Sequence, residues 1–161
     1  MQNESSLEDL KKDYKVIQEK YSLPSFEELN EEFYIEKLSE TETDFLLREI
    51  RRMVAERLFN YLRFIESLLN PTGVPMFVYS IIKTFDVEEK EKLTEVYKRL
   101  AKKEVDLIEI DIESSDEKEV EFIKDSYKLW QDVKGDVLDV VQVIKKNWDN
   151  KVEEDKKNYF G

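Results

Sequence analysis

SETETDFLLREIRRMVAERLFNYLRFIESLLNP, residues 39–71, reads as one long amphipathic helix. At about 100° per residue, Leu46, Ile50, Met53, Val54, Leu58, Tyr61, Ile65 and Leu68 share roughly half of a helical wheel. Phe45 and Phe59 widen that apolar surface. Ser39 and Thr41, with Glu42 and Asp44 in their third positions, offer overlapping start signals. The helix should stop at Asn70 and Pro71, because proline lacks the N–H and clashes with the preceding turn.

Working toward the N-terminus, Leu7, Leu10, Tyr14, Ile17 and Tyr21 recur at steps of three and four and predict a helix over 6–21. Ser6 is its expected cap, with Asp9 three residues on, and Pro24 opposes its continuation. Ser25 followed by Glu28 spells a capping box for a short second helix whose apolar side is Phe26, Leu29 and Phe33. A helix this short is marginal alone in water, so it must lean on the body or on a partner.

Toward the C-terminus, Pro71, Gly73 and Pro75 mark a loop. MFVYSIIKTF, residues 76–85, is apolar almost all round, which predicts a short buried helix with a strand as the alternative. Asp86 should cap the next helix, with Leu93, Tyr97, Leu100, Leu107 and Ile108 on or near one face. The alternation in LIEIDI leaves residues 105–112 open between helix and strand. Ser114 and Glu117 open the last long helix, where Val120, Ile123, Tyr127, Trp130, Val137, Val141, Ile144 and Trp148 keep a seven-residue rhythm. Lys134 interrupts that rhythm and Gly135 follows it, so a kink or a short break is expected there.

Only 3 Gly and 3 Pro punctuate the 161 residues, too few for the turns a sheet requires. The expected fold is therefore all-α: a single-domain bundle of five or six helices with two long ones over residues 1–150, followed by a frayed tail over 151–161. Histidine and cysteine are both absent, which removes imidazole and thiolate ligands, cysteine nucleophiles and every histidine-dependent triad. The longest apolar run, Val74 to Phe85, falls short of the roughly 20 residues that span a bilayer, so no membrane association and a cytoplasmic location are expected.

The net charge of −12 opposes nucleic-acid binding by the chain as a whole. Its distribution is uneven: residues 1–44 carry 5 basic and 13 acidic side chains, 45–85 carry 6 and 3, and 86–161 carry 15 and 22. A basic, apolar middle thus lies between two acidic arms. Five of the arginines belong to the middle helix: Arg48, Arg51, Arg52, Arg57 and Arg63. Guanidinium forks suit phosphates, and Arg48, Arg51, Arg52 and Arg63 share one side of the wheel. The acidic arms nevertheless supply carboxylates in excess, which favours salt bridges within the chain or across a subunit interface. Arg57 coincides in angle with Ile50, Met53 and Leu68, so its stem either snorkels to water or enters a buried ion pair or an oligomer contact.

The acidic pairs Glu88 with Glu91 and Glu113 with Asp116 have the i, i+3 spacing with which all-helical nucleotide pyrophosphohydrolases hold magnesium. In a chain with 38 acids such pairs arise by chance, and no lysine or asparagine pattern accompanies them. No cofactor, metal or catalytic residue is therefore expected. The Phe26, Leu29, Phe33 segment is the most movable interaction surface, since a short amphipathic helix docks in cis or in trans. The heptad-like last helix could also pair with a second copy.

LPSFEELNEEF (23–33), LLREIRR (46–52), YLRFIESLLNP (61–71) and KTF (83–85) resemble small all-helical proteins of archaea. The resemblance implies a cytosolic archaeal setting and carries no activity, ligand or site residue with it. The expected function is a non-enzymatic interaction or assembly protein that presents a helical surface to a protein partner or to itself. A nucleic-acid adaptor using the arginine-rich helix and a magnesium-dependent pyrophosphohydrolase are the alternatives.

Overall fold

The computed structural model describes residues 2–161, with side chains from Ser6 onward. The chain forms α1 (Gln2–Tyr21), α2 (Phe26–Phe33), a 3₁₀ helix (Ile35–Glu40), α3 (Leu46–Leu69), α4 (Met76–Ile82), α5 (Val87–Ile112) and α6 (Asp116–Phe160), with no strand among the described residues. The all-α expectation is met, and residues 105–112 are helix. Among the described residues the helical segments number seven rather than five or six, because residues 35–40 wind into a 3₁₀ turn of their own.

That turn also corrects the start of the central helix. The Glu49 N–H bonds the carbonyl of Phe45, and the Phe45 N–H bonds the Thr43 hydroxyl, so α3 begins after Phe45 and not after Ser39 or Thr41. Two further caps move. Helix α1 begins at Gln2, which places Ser6 inside it, since no glycine or proline upstream breaks the turn. Ser115 rather than Ser114 caps α6: its carbonyl accepts from the Glu119 N–H and its hydroxyl from the Lys118 N–H. The capping boxes at Ser25 with Glu28 and at Asp86 with Glu89 are closed in both directions.

The chain divides into two compact units, residues 1–60 with 102–130 and residues 61–101 with 131–161. In the first unit, α1 packs on α2 and on the 3₁₀ helix. The Tyr14 ring meets Phe26 edge-on at 5.6 Å, and its hydroxyl donates to the Pro24 carbonyl at 2.5 Å. Tyr34 ends α2 in the left-handed region at φ 55°, a conformation that costs a non-glycine residue about 1 kcal/mol. Neighbouring bonds hold it there. The Tyr34 N–H bonds the Asn30 carbonyl at 2.9 Å, and the Asn30 amide makes reciprocal bonds to the Glu36 side chain and backbone. Farther along, Trp130 Nε1 donates to Glu32 at 2.7 Å.

In the second unit the buried side chains include Leu62, Ile65 and Leu68 of α3, Ile81 and Ile82 of α4, Leu93, Val96 and Leu100 of α5, and Val133, Val137 and Val140 of α6. Phe77 packs edge-on against Trp148 at 4.8 Å, and the Asn147 amide donates to the Thr84 hydroxyl. Helix α4 is less buried than its composition suggests: Ile81 and Ile82 turn inward, whereas Met76 is 79% exposed. The α3–α4 loop contains Gly73 at φ 88°, which a side chain would strain. Helix α6 runs unbroken through Lys134 and Gly135, where a break was expected, and its last stretch, 151–160, continues the same helix. One glycine lowers helix propensity by only about 1 kcal/mol, too little to open a helix whose Val133 and Val137 are anchored on either side.

Candidate functional site

The five arginines of α3 are separated by function. Arg51 is 7% exposed, and its Nε bonds Glu119, itself 3% exposed, at 2.7 Å. Its Nη2 lies 3.6 Å from Asp111 at the end of α5, and Ser114 bonds the second Glu119 oxygen. A fork of this kind satisfies a buried guanidinium with two carboxylates from two other elements. Arg52 pairs with Glu49 and Arg63 with Glu66, each three residues away on the exposed side of α3. Arg48 lies over the Phe45 ring at 5.2 Å, and Arg57 over the Tyr34 ring at 4.6 Å. The Arg57 guanidinium thus covers the ring of the left-handed residue that ends α2.

Beside the Arg51–Glu119 pair, an open groove of about 320 Å³ runs between Val16, Ile17 and Lys20 of α1, Phe45 to Arg48 at the start of α3, and Asp116 of α6. Its polar groups engage one another: Tyr21 donates to Asp116 at 2.9 Å, and Glu119 serves Arg51. A smaller cavity of about 160 Å³ is lined by Lys103, Asp106, Lys118 and Asp125. There the nearly buried Lys103 reaches Asp106 at 3.3 Å and Asp125 at 3.9 Å, and faces the Phe122 ring. At both sites these charges find partners within the chain.

Helix α5 differs. Over residues 102–112 its covered side includes Lys103 and Ile110, both buried, with Leu107 between them half-buried. On the opposite side of the same turns stand Val105, Ile108 and Ile112, which are 65, 58 and 82% exposed. Their i, i+3, i+7 spacing puts all three in a stripe about 60° wide. Earlier along that line α5 carries Glu91, Thr94 and Lys98, an ordinary wet face. Lys102 and Glu109 border the stripe on one side, with Glu104 and Asp111 on the other, and Glu113 follows its end. Ile108 therefore faces outward rather than into the core that the sequence pattern suggested. Its spacing with Val105 and Ile112, opposite the buried Val96, Lys103 and Ile110, is the signal that identifies the stripe.

Phe26, Leu29 and Phe33 are all buried, so this short helix docks in cis. Glu88 and Glu91 are exposed in the first two turns of α5, while Glu113 and Asp116 flank the α5–α6 turn, and the two pairs belong to different compact units. Among the described residues no three acidic side chains gather closely enough to hold a metal ion, and no helix is long and apolar enough to cross a membrane. No family model, no curated protein and no solved structure matches the chain.

Proposed function

We propose that this is a non-enzymatic interaction protein which engages another protein through the Val105, Ile108, Ile112 face of α5. One observation carries the reading: over the same turns a single helix has one side covered by the fold and, on the other, an apolar stripe left bare. Scattered exposed hydrophobes need no explanation, but three aligned on one rigid helix repeat the anchor pattern by which helices dock on partners. The five arginines fit a supporting role, with Arg51 fixing α3, the end of α5 and the start of α6 to one another. The reading calls for no cofactor, and the cytosolic archaeal setting implied by the sequence resemblance belongs to it.

A photo-crosslinking residue placed at 108 in cells should yield a discrete heavier adduct that disappears with Ile112→Asp. The same probe at the exposed Glu121 should not yield it. Equal adducts at both positions, or none at 108, reject the reading.

The chain is also proposed to be one cooperative domain. The boundary between its units falls inside α3, α5 and α6, whereas independent domains are joined through exposed linkers. Trp130 and Trp148 lie in different units, so in each single-tryptophan variant the fluorescence midpoint should coincide with that variant's own far-UV circular dichroism midpoint. Two separated midpoints reject a single domain.

A further inference from the structure

Resting on the reading of α5 as a docking face, we infer that its partner is a basic amphipathic helix: an apolar ridge flanked by lysine or arginine. The argument is electrostatic. A helix C-terminus carries the negative end of the peptide dipole and is stabilised by cations in its last turn. Helix α5 has no basic residue in its last turn, and instead brings Glu109 and Asp111 there, with Glu113 just beyond. These three side chains are 68, 62 and 80% exposed. The chain answers with two cations from elsewhere: Lys118 of α6 lies 3.3 Å from Glu109 and 3.1 Å from Glu113, and Arg51 reaches Asp111 at 3.6 Å. Lys102, on the same border as Glu109, is engaged by Asp106 at 3.2 Å, and Arg51 is shared with the buried Glu119, so the end of α5 keeps an excess of exposed carboxylate.

This border chooses among occupants. A second copy would bring the same acidic rim against its twin, in a chain already at −12. An anionic lipid surface is repelled for the same reason. A helix with lysine or arginine beside its ridge lets leucine or isoleucine cover Val105, Ile108 and Ile112 while its cations reach the exposed Glu109, Asp111 and Glu113. It also supplies the positive charge that the end of α5 lacks.

The test uses the full-length, isotope-labelled protein and three synthetic peptides of about 18 residues, five helical turns. One has a leucine ridge with lysine flanks, the second has the same composition scrambled, and the third carries glutamate flanks. The lysine ridge peptide should shift amide resonances of residues 104–113, bind about tenfold more tightly than the scrambled one, and weaken in about 0.5 M salt. Ile108→Asp should weaken it about tenfold, and the double variant Glu109→Lys with Glu113→Lys should weaken it and flatten its salt dependence.

Equal binding of the scrambled peptide, shifts centred elsewhere, or indifference to Ile108→Asp overturns the inference. Preferential binding of the glutamate peptide, or doubling of the mass with this face protected, overturns the basic partner while leaving α5 as the docking face. Absence of any ridge-peptide binding, together with no crosslink at 108, removes the underlying reading as well.

Discussion

Arg51 of α3 and Glu119 of α6, 68 residues apart, meet at 2.7 Å with both side chains more than nine-tenths buried. The pair fixes register, because each charge is tolerable only where the other is. Removing Glu119 leaves Arg51 with Asp111 at 3.6 Å, an exposed and weaker partner. Glu119→Leu and Arg51→Met should therefore each destabilise by about 3–5 kcal/mol in urea unfolding. The double variant should recover much of that loss, since an apolar pair of similar volume has no charge to strand. Single losses below about 1 kcal/mol would show that the pair is solvated.

Tyr14 provides a pH-dependent handle on the first unit. Burial lifts its phenol well above the usual tyrosine range, with Glu28 and then Glu27 adding to the shift, and its hydroxyl bonds the Pro24 carbonyl. In the unfolded chain the proton leaves near pH 10, before it would leave the folded one. The stabilising contribution is thus complete below about pH 10 and is lost as the pH rises beyond it. Denaturant midpoints followed from pH 9 to 11 should fall more steeply for the native chain than for Tyr14→Phe. Parallel slopes would mean that Tyr14 is open to solvent.

Periodicity made the helices legible, but it could not by itself rank one apolar face against another. The Ser25 and Asp86 caps were readable because each is a local exchange of side-chain and backbone bonds within four residues. The start of α3 was not, since Ser39 and Thr41 are equally good local caps and the choice of Phe45 depends on the preceding 3₁₀ turn. The Arg51 pairing was beyond reach for a related reason: many carboxylates could have claimed that guanidinium, and only the meeting of α3 with α6 selects Glu119. On α5, Ile108 and Ile110 look alike in sequence, and what covers the helix decides between them.

That distinction yields a direct comparison. Ile110 is 5% exposed and Ile108 is 58% exposed, two residues apart on one helix. Ile110→Asp buries an unpaired carboxylate and should cost more than about 3 kcal/mol, enough to broaden or abolish the folded amide spectrum. Ile108→Asp should change stability by no more than about 0.5 kcal/mol while removing the apolar ridge. Thermal melts of both variants check the register of α5. Equal losses would place both side chains in the core.

Gly135 offers the converse, a stabilising change. It lies in the interior of α6 with ordinary helical backbone, is exposed, and has no atom within 4 Å of where a Cβ would stand. Alanine there restricts the unfolded chain without disturbing the folded one. Gly135→Ala should therefore raise the unfolding free energy by about 0.5–1 kcal/mol, read as a higher urea midpoint at unchanged slope. Gly73 is the control: its space is also open, but at φ 88° a Cβ strains the turn, so Gly73→Ala should destabilise. A destabilising Gly135→Ala would mean that the backbone departs from helix at that point, as the interrupted heptad at Lys134 had suggested.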